Sequence, residues 1–227
     1  MSLRPVLFAI AILPLLNGCT GALSTLDPAG PAAASIATLW WLMFWASVAL
    51  FLLIAGLLWA VWRRPGFGKA LAPMRWIIWG GLAMPGVLLT ALVGYALVTG
   101  ERLLPHTLDQ PPTRVVAHGV MWQWHFSYPD NQETLVTSVL HIPAGEPVDV
   151  IVTSGDVIHS FWVPRLAGKI DAIPGHENTI RIQADRPGTY RGVCAEFCGD
   201  GHTEMRFTIE AHERASFETL MAELADV

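Results

Sequence analysis

Two long apolar runs constrain this chain more than any other feature. Ile36 to Trp62 is 27 residues without a charge, and Trp76 to Val98 is 23 more. About 20 residues of helix cross the hydrocarbon of a bilayer, and a segment in lipid must satisfy its own backbone hydrogen bonds. The runs therefore predict a transmembrane helical hairpin within residues 20–99. Trp40, Trp41, Trp59 and Trp62 lie near the ends of the first run, and Trp76 and Trp79 begin the second. Those are interfacial positions. The connection carries Arg63, Arg64, Lys69 and Arg75 and no acid. The positive-inside rule puts it in the cytoplasm, so both flanking parts of the chain lie outside.

Residues 1–19 read as an export signal. Arg4 gives a positive start, Val6 to Leu16 is apolar but too short to span, and Leu16-Asn17-Gly18-Cys19 follows. This stretch resembles the lipobox of bacterial lipoproteins. The resemblance implies that Cys19 becomes the acylated first residue of the mature chain. The alternative is an ordinary cysteine in an uncleaved helix. An exported N-terminus agrees with the topology that the loop charges predict.

Beyond the second run the pattern changes. Pro105, Pro111 and Pro112 mark a linker. Short runs rich in branched and aromatic residues follow at Val115–Phe126, Leu135–Ile142, Val148–Thr153, Thr179–Gln183 and Met205–Ile209. Turn clusters such as Tyr128-Pro129-Asp130-Asn131 and Arg186-Pro187-Gly188 separate them. That spacing predicts an all-β sandwich or barrel over residues 100–227. Phe217, Leu220, Met221 and Leu224 recur at helical spacing, so His212 to Leu224 is expected to be a helix. From Gly100 onward nine basic residues face eighteen acidic ones, a net of −9. Such a surface repels nucleic acid and favours encounter with a basic protein. Acidity that serves solubility alone is the plain alternative.

The densest chemistry is Cys194-Ala-Glu-Phe-Cys198-Gly-Asp-Gly-His202-Thr-Glu-Met205. Another histidine, His159, lies upstream in Asp156-Val-Ile-His159-Ser-Phe-Trp-Val-Pro164. Thiolate, imidazole and thioether together form a copper ligand set, because zinc and iron–sulfur sites rarely use the thioether. A one-copper blue site needs a single cysteine, and here there are two. Two thiolates can bridge two metal ions, with one histidine ending each side. An electron spread over such a centre changes local charge little, which suits electron transfer rather than bond chemistry. In an exported domain a Cys194–Cys198 disulfide is the competing reading.

These residues carry a resemblance to subunit II of the heme-copper oxidases, the cytochrome c oxidase family with a binuclear copper A centre. Its most specific stretches are Asp156–Pro164, Lys169–Gly175 and Pro187–Met205. The resemblance implies two N-terminal transmembrane helices followed by an external, cupredoxin-like Greek-key barrel. It implies two copper ions, with Cys194 and Cys198 as bridging thiolates and His159 and His202 as terminal imidazoles. Met205 and the Glu196 carbonyl would be weak ligands. It further implies that the Glu196 carboxylate faces a magnesium or manganese ion shared with subunit I. Trp122, in Met121-Trp-Gln-Trp-His-Phe-Ser-Tyr-Pro129, would be the surface residue at which cytochrome c delivers its electron. The expected setting is a bacterial plasma membrane. Oxygen reduction and proton translocation would occur in the assembled oxidase, not in this chain alone.

Alternation places Trp122, Trp124 and Phe126 on one face of a strand, which without the resemblance reads as a half-buried aromatic stripe. Two departures from the family stand out. Met121 occupies a position where glutamine is usual. The start of the second span, Met74-Arg-Trp-Ile-Ile78, lacks the glutamate many members carry for proton uptake. A quinol oxidase subunit II is similar but lacks the copper ligands, and nitrous oxide reductases share the centre without such spans. A membrane-anchored copper chaperone is the alternative from another class. Asp156 is read as holding a loop through backbone bonds, and no chemical role is assigned to Asp171, His106, His118, His125, His141, His176 or His212.

Overall fold

The computed structural model describes residues 18–69, 72–129, 134–135 and 138–225. The chain divides into two compact units, one formed by Thr38–Leu104 and the other by the residues on either side of it.

Helix α1 (Pro31–Arg63) begins with a proline, whose missing N–H costs nothing in a first turn. Helix α2 (Pro73–Arg102) likewise opens on proline. Both are long and apolar enough to cross a membrane. Helix α1 begins five residues before the expected span and ends one residue past it, and α2 passes its span by three and four residues. At the end of α1 the Arg63 guanidinium lies over the Trp59 and Trp62 rings, 5.6 and 5.9 Å from their centroids. That pairing of cation and indole suits a membrane–water boundary. Within α2, Ile77–Ala83 forms a widened π-helical turn just ahead of Pro85. A proline inside a helix lacks an N–H and collides with the preceding turn, and local re-registration of the ladder accommodates it. Pro85 is the one mark of this in the otherwise smooth apolar run.

The other unit is the expected cupredoxin-like β fold, built from two five-stranded sheets. One runs in the order β3 (Thr134–Leu135), β2 (Gln123–Ser127), β1 (Thr113–Val120), β5 (Val148–Ser154), β8 (Asn178–Ile182). The other runs β4 (Val139–Pro143), β10 (Arg206–His212), β9 (Gly188–Cys194), β6 (His159–Trp162), β7 (Lys169–Ala172). The pairs β1–β5 and β4–β10 are parallel. Alternation decides which residues enter the core. Val115 and Ala117 of β1, Trp124 and Phe126 of β2, and Phe207 and Ile209 of β10 are all buried, with outward neighbours between them. Phe207 stacks on Phe161 at 4.7 Å between centroids and meets Trp124 edge-on at 5.7 Å.

The run Val115–Phe126 is not one strand. It folds back at Met121–Trp122, across a cis peptide bond, so that Val120 pairs with Gln123. Trp122 therefore leaves the face shared by Trp124 and Phe126 and stands 42% exposed. Strands β6, β7 and β9 add to those expected. Helix α3 (Arg214–Ala225) closes the chain and buries Phe217. Segments on each side of the hairpin complete this unit. Arg181 grips Asp149 with two bonds of 2.7 and 2.9 Å and donates to the His106 carbonyl. Ala29 donates to the Arg165 carbonyl at 2.7 Å and accepts from Asp185 N–H at 2.9 Å.

A candidate metal centre

The Cys194–Met205 loop leaves β9 and returns to begin β10. Antiparallel pairing of those strands holds its two ends together. Cys194 N–H donates to the Met205 carbonyl at 2.9 Å, and Ala195 N–H donates to the Ser160 carbonyl of β6 at 2.9 Å. Phe161 of β6 sits opposite Cys194, which brings His159 beside a loop 35 residues away. Gly119 of β1 makes room for the imidazole, since a Cβ there would lie 3.0 Å from the His159 ring.

The structure brings the sequence-derived donors together. Sγ of Cys194 and Cys198 are 3.8 Å apart. Cys194 Sγ lies 3.9 Å from His159 Nδ1, and Cys198 Sγ lies 3.6 Å from His202 Nδ1 and 3.8 Å from Met205 Sδ. The Glu196 carbonyl is 3.2 Å from Cys194 Sγ. A disulfide would need about 2.05 Å, and both cysteines are free thiols. His159, Met205, Cys194 and Cys198 are buried, while His202 sits at the margin.

Burial, and the neighbouring Cys194, push the Cys198 thiol up to about 11. The Cys198 thiol thus stays protonated at neutral pH unless a cation replaces its proton. Two thiol sulfurs, a thioether and two ring nitrogens converging in a largely buried cleft fit copper and leave hard cations poorly served. Both imidazoles present Nδ1 to sulfur.

Asp156 shows what the sequence reading missed. Its carboxylate does hold the loop, accepting Met121 N–H at 2.7 Å and Val157 N–H at 2.6 Å. It also lies 2.8 Å from His159 Nε2. Burial alone would raise its pKa. The bonds from Met121, His159 and Val157 outweigh that and bring it down to about 2. An ionised Asp156 puts the His159 proton on Nε2 and leaves Nδ1 free to bind a metal. The only trace in the sequence is an aspartate three residues before the histidine.

Trp122 lies over the loop. Its Nε1–H donates to the Cys198 carbonyl at 3.0 Å, and a Cβ on Gly201 would come within 2.4 Å of its ring. Exposed Met121, Val157, Ile158 and Phe197 flank these residues. The Glu196 carboxylate is paired with Lys169 Nζ at 3.2 Å, and Lys169 also reaches Asp171 at 3.4 Å. The Glu196 bond comes first among the influences that raise the Lys169 pKa. Cys19 is exposed; the rest of the expected lipobox, Leu16 and Asn17, and the signal before it lie outside the described residues.

A family model described as cytochrome c oxidase subunit II, periplasmic domain, matches residues 133–212. Cytochrome c oxidase subunit 2 of Alkalihalophilus pseudofirmus is 31% identical over 224 residues, covering 89% of this chain and 63% of that one. The chain thus spans a little under two thirds of that relative's length. A probable cytochrome c oxidase subunit 2 of Rickettsia felis is 30% identical, over 86% of this chain and 69% of that one. Quinol oxidase subunit 2 of Bacillus cereus is 28% identical, over 97% of this chain and 79% of that one.

Proposed function

This chain belongs to the cytochrome c oxidase subunit II family, and from that premise we propose that it is the copper-bearing, electron-accepting subunit of a membrane terminal oxidase. The convergence of two thiols, two imidazoles and a thioether on one buried point supports this reading most directly. Two copper ions held there, in a copper A centre, would supply one-electron chemistry between cytochrome c and heme in subunit I. Oxygen reduction to water and the coupled proton translocation would belong to the assembled oxidase.

The roles of the chain's own residues follow from their positions. Cys194 and Cys198 would hold the metal pair from the middle, His159 and His202 from the ends, and Met205 and the Glu196 carbonyl weakly. The strand-anchored ends of the loop fix these donors before metal arrives, so few atoms need move when charge changes. Phe161, Phe207 and Trp124 exclude water from one side. Trp122 offers an exposed ring whose N–H is bonded to a ligand residue's carbonyl, a short route from surface to site. The acidic balance of the domain suits a basic cytochrome c, whose binding would then weaken with salt. The Glu196 carboxylate would contribute to a magnesium or manganese site at the subunit I boundary. Cys19 would carry a lipid, with the β unit on the periplasmic face of a bacterial plasma membrane.

The quinol oxidase relative supports a second reading, in which the donor is a quinol. The complete donor set favours the first. Copper per chain, measured with the electron paramagnetic resonance spectrum of the full-length protein in detergent, separates them. Two coppers sharing one unpaired electron are expected. One copper, or none with the thiols oxidised to a disulfide, overturns the proposal.

A further inference from the structure

A second group of metal-binding side chains lies at the other end of β10, on the outer face of its sheet. Strand β10 buries Phe207, Ile209 and Ala211 and turns Glu210 and His212 outward. Strand β4 buries Leu140 and Ile142 and turns His141 outward. The parallel register sets Glu210 opposite His141 and His212 opposite Pro143. Two ligands spaced i and i+2 on one strand, with a third on its neighbour, therefore share a single patch.

The distances suit a cation. His141 Nδ1 is 2.9 Å from His212 Nε2 and 3.6 Å from Glu210 Oε2, and all three ligand atoms lie within 4.8 Å of one another. A tetrahedral zinc ion with bonds of about 2.0–2.1 Å holds its donors roughly 3.3 Å apart. The first two separations bracket that value. The single N–H that His141 Nδ1 can carry cannot serve both neighbours, and 3.6 Å is too long for a hydrogen bond.

The backbone beneath is fixed. The Tyr128 phenol donates to the His141 carbonyl at 2.7 Å and accepts from the His141 N–H at 2.9 Å. This occupies the free edge of β4. The His212 carbonyl accepts Ala144 N–H at 2.8 Å. Met205 precedes β10 and His212 ends it, so seven residues, about 23 Å of strand, separate this patch from the thiol cluster.

We propose that His141, Glu210 and His212 form a second metal site, selective for a borderline divalent ion such as Zn2+ and open at a fourth position to water. Two imidazoles and one carboxylate suit zinc or divalent copper, whereas magnesium and calcium favour all-oxygen shells. Because β4 is an edge strand, an ion here clips it to β10.

The test is a zinc titration of the full-length, metal-free, reduced protein in detergent against a chromophoric chelator. The wild type is compared with His212→Ala and with Glu210→Gln. Both altered side chains point outward, and circular dichroism checks the fold of each. Zinc taken by the thiol cluster is common to all three proteins. The wild type should bind one equivalent more than His212→Ala, and Glu210→Gln should bind that equivalent at least tenfold more weakly. Equal stoichiometry and affinity in all three overturns the site.

Discussion

The far ring nitrogen of His159 is committed to a carboxylate. Nε2 lies 2.8 Å from Asp156 Oδ1, while Nδ1 on the other side of the ring faces Cys194. The same carboxylate fastens the β1–β2 turn through Met121 N–H. One side chain thus couples the orientation of a ligand to the placement of Trp122.

Replacing Asp156 with alanine should lower copper affinity by roughly ten- to a hundredfold, the usual effect of losing such a supporting carboxylate. Competition against a copper chelator measures it. Unchanged affinity would mean that the carboxylate serves only the loop.

Trp122→Phe keeps an aromatic ring but removes the N–H that reaches the Cys198 carbonyl. Oxidation of reduced cytochrome c should slow several-fold in the assembled oxidase, with the copper absorption spectrum unchanged. Equal rates would remove Trp122 from the route.

Two glycines give opposite outcomes when replaced by alanine. At Gly201 the obstacle is the Trp122 ring, which is partly exposed and can move outward at the cost of its one bond to the Cys198 carbonyl. Gly201→Ala should shift tryptophan fluorescence and slow electron uptake with little loss of stability. At Gly192 a Cβ would lie 2.1 Å from the Phe207 ring, which Phe161, Trp124 and Phe126 confine. Gly192→Ala should cost about 1–3 kcal/mol or more from overpacking, read from chemical unfolding.

The metal-free protein should lose stability in alkali. A thiol in the unfolded chain titrates near 8.5, while burial raises Cys198 to about 11 in the fold. Between those values the unfolded chain has released a proton that the folded protein retains. Stability is therefore full below about pH 8.5 and declines as pH rises toward 11. Urea unfolding under reductant should show this slope, and Cys198→Ser should flatten it. Copper uptake at neutral pH should release protons into weak buffer.

Much of this was legible because its signals are local. The spans declare themselves by uninterrupted apolarity. Five of the donor residues, from Cys194 to Met205, lie within twelve positions. The β1–β2 turn was not legible. Two-residue hairpins usually advertise themselves with Asn-Gly or a similar pair, whereas Met121-Trp122 carries no such mark and continues the apolar alternation. Asp156 was seen as a loop holder, but its bond to His159 depends on how Ser154–Val157 curls. His141 and His212 are 71 residues apart, so only the parallel register of β4 and β10 discloses them as neighbours.

The bonds between Ala29 and the strand connections at Arg165 and Asp185 set an order of assembly. The stretch made among the first must wait for strands made among the last before its partners exist. During synthesis the β unit remains open along that seam until Arg165 and Asp185 have followed Thr38–Leu104 out of the ribosome. A truncated version starting at β1 (Thr113) would lack this piece of its own wall, leaving the Arg165 carbonyl and the Asp185 N–H without their Ala29 partners. Soluble versions of the domain are best cut to include residues 18–37 by a designed linker, not simply trimmed at the membrane.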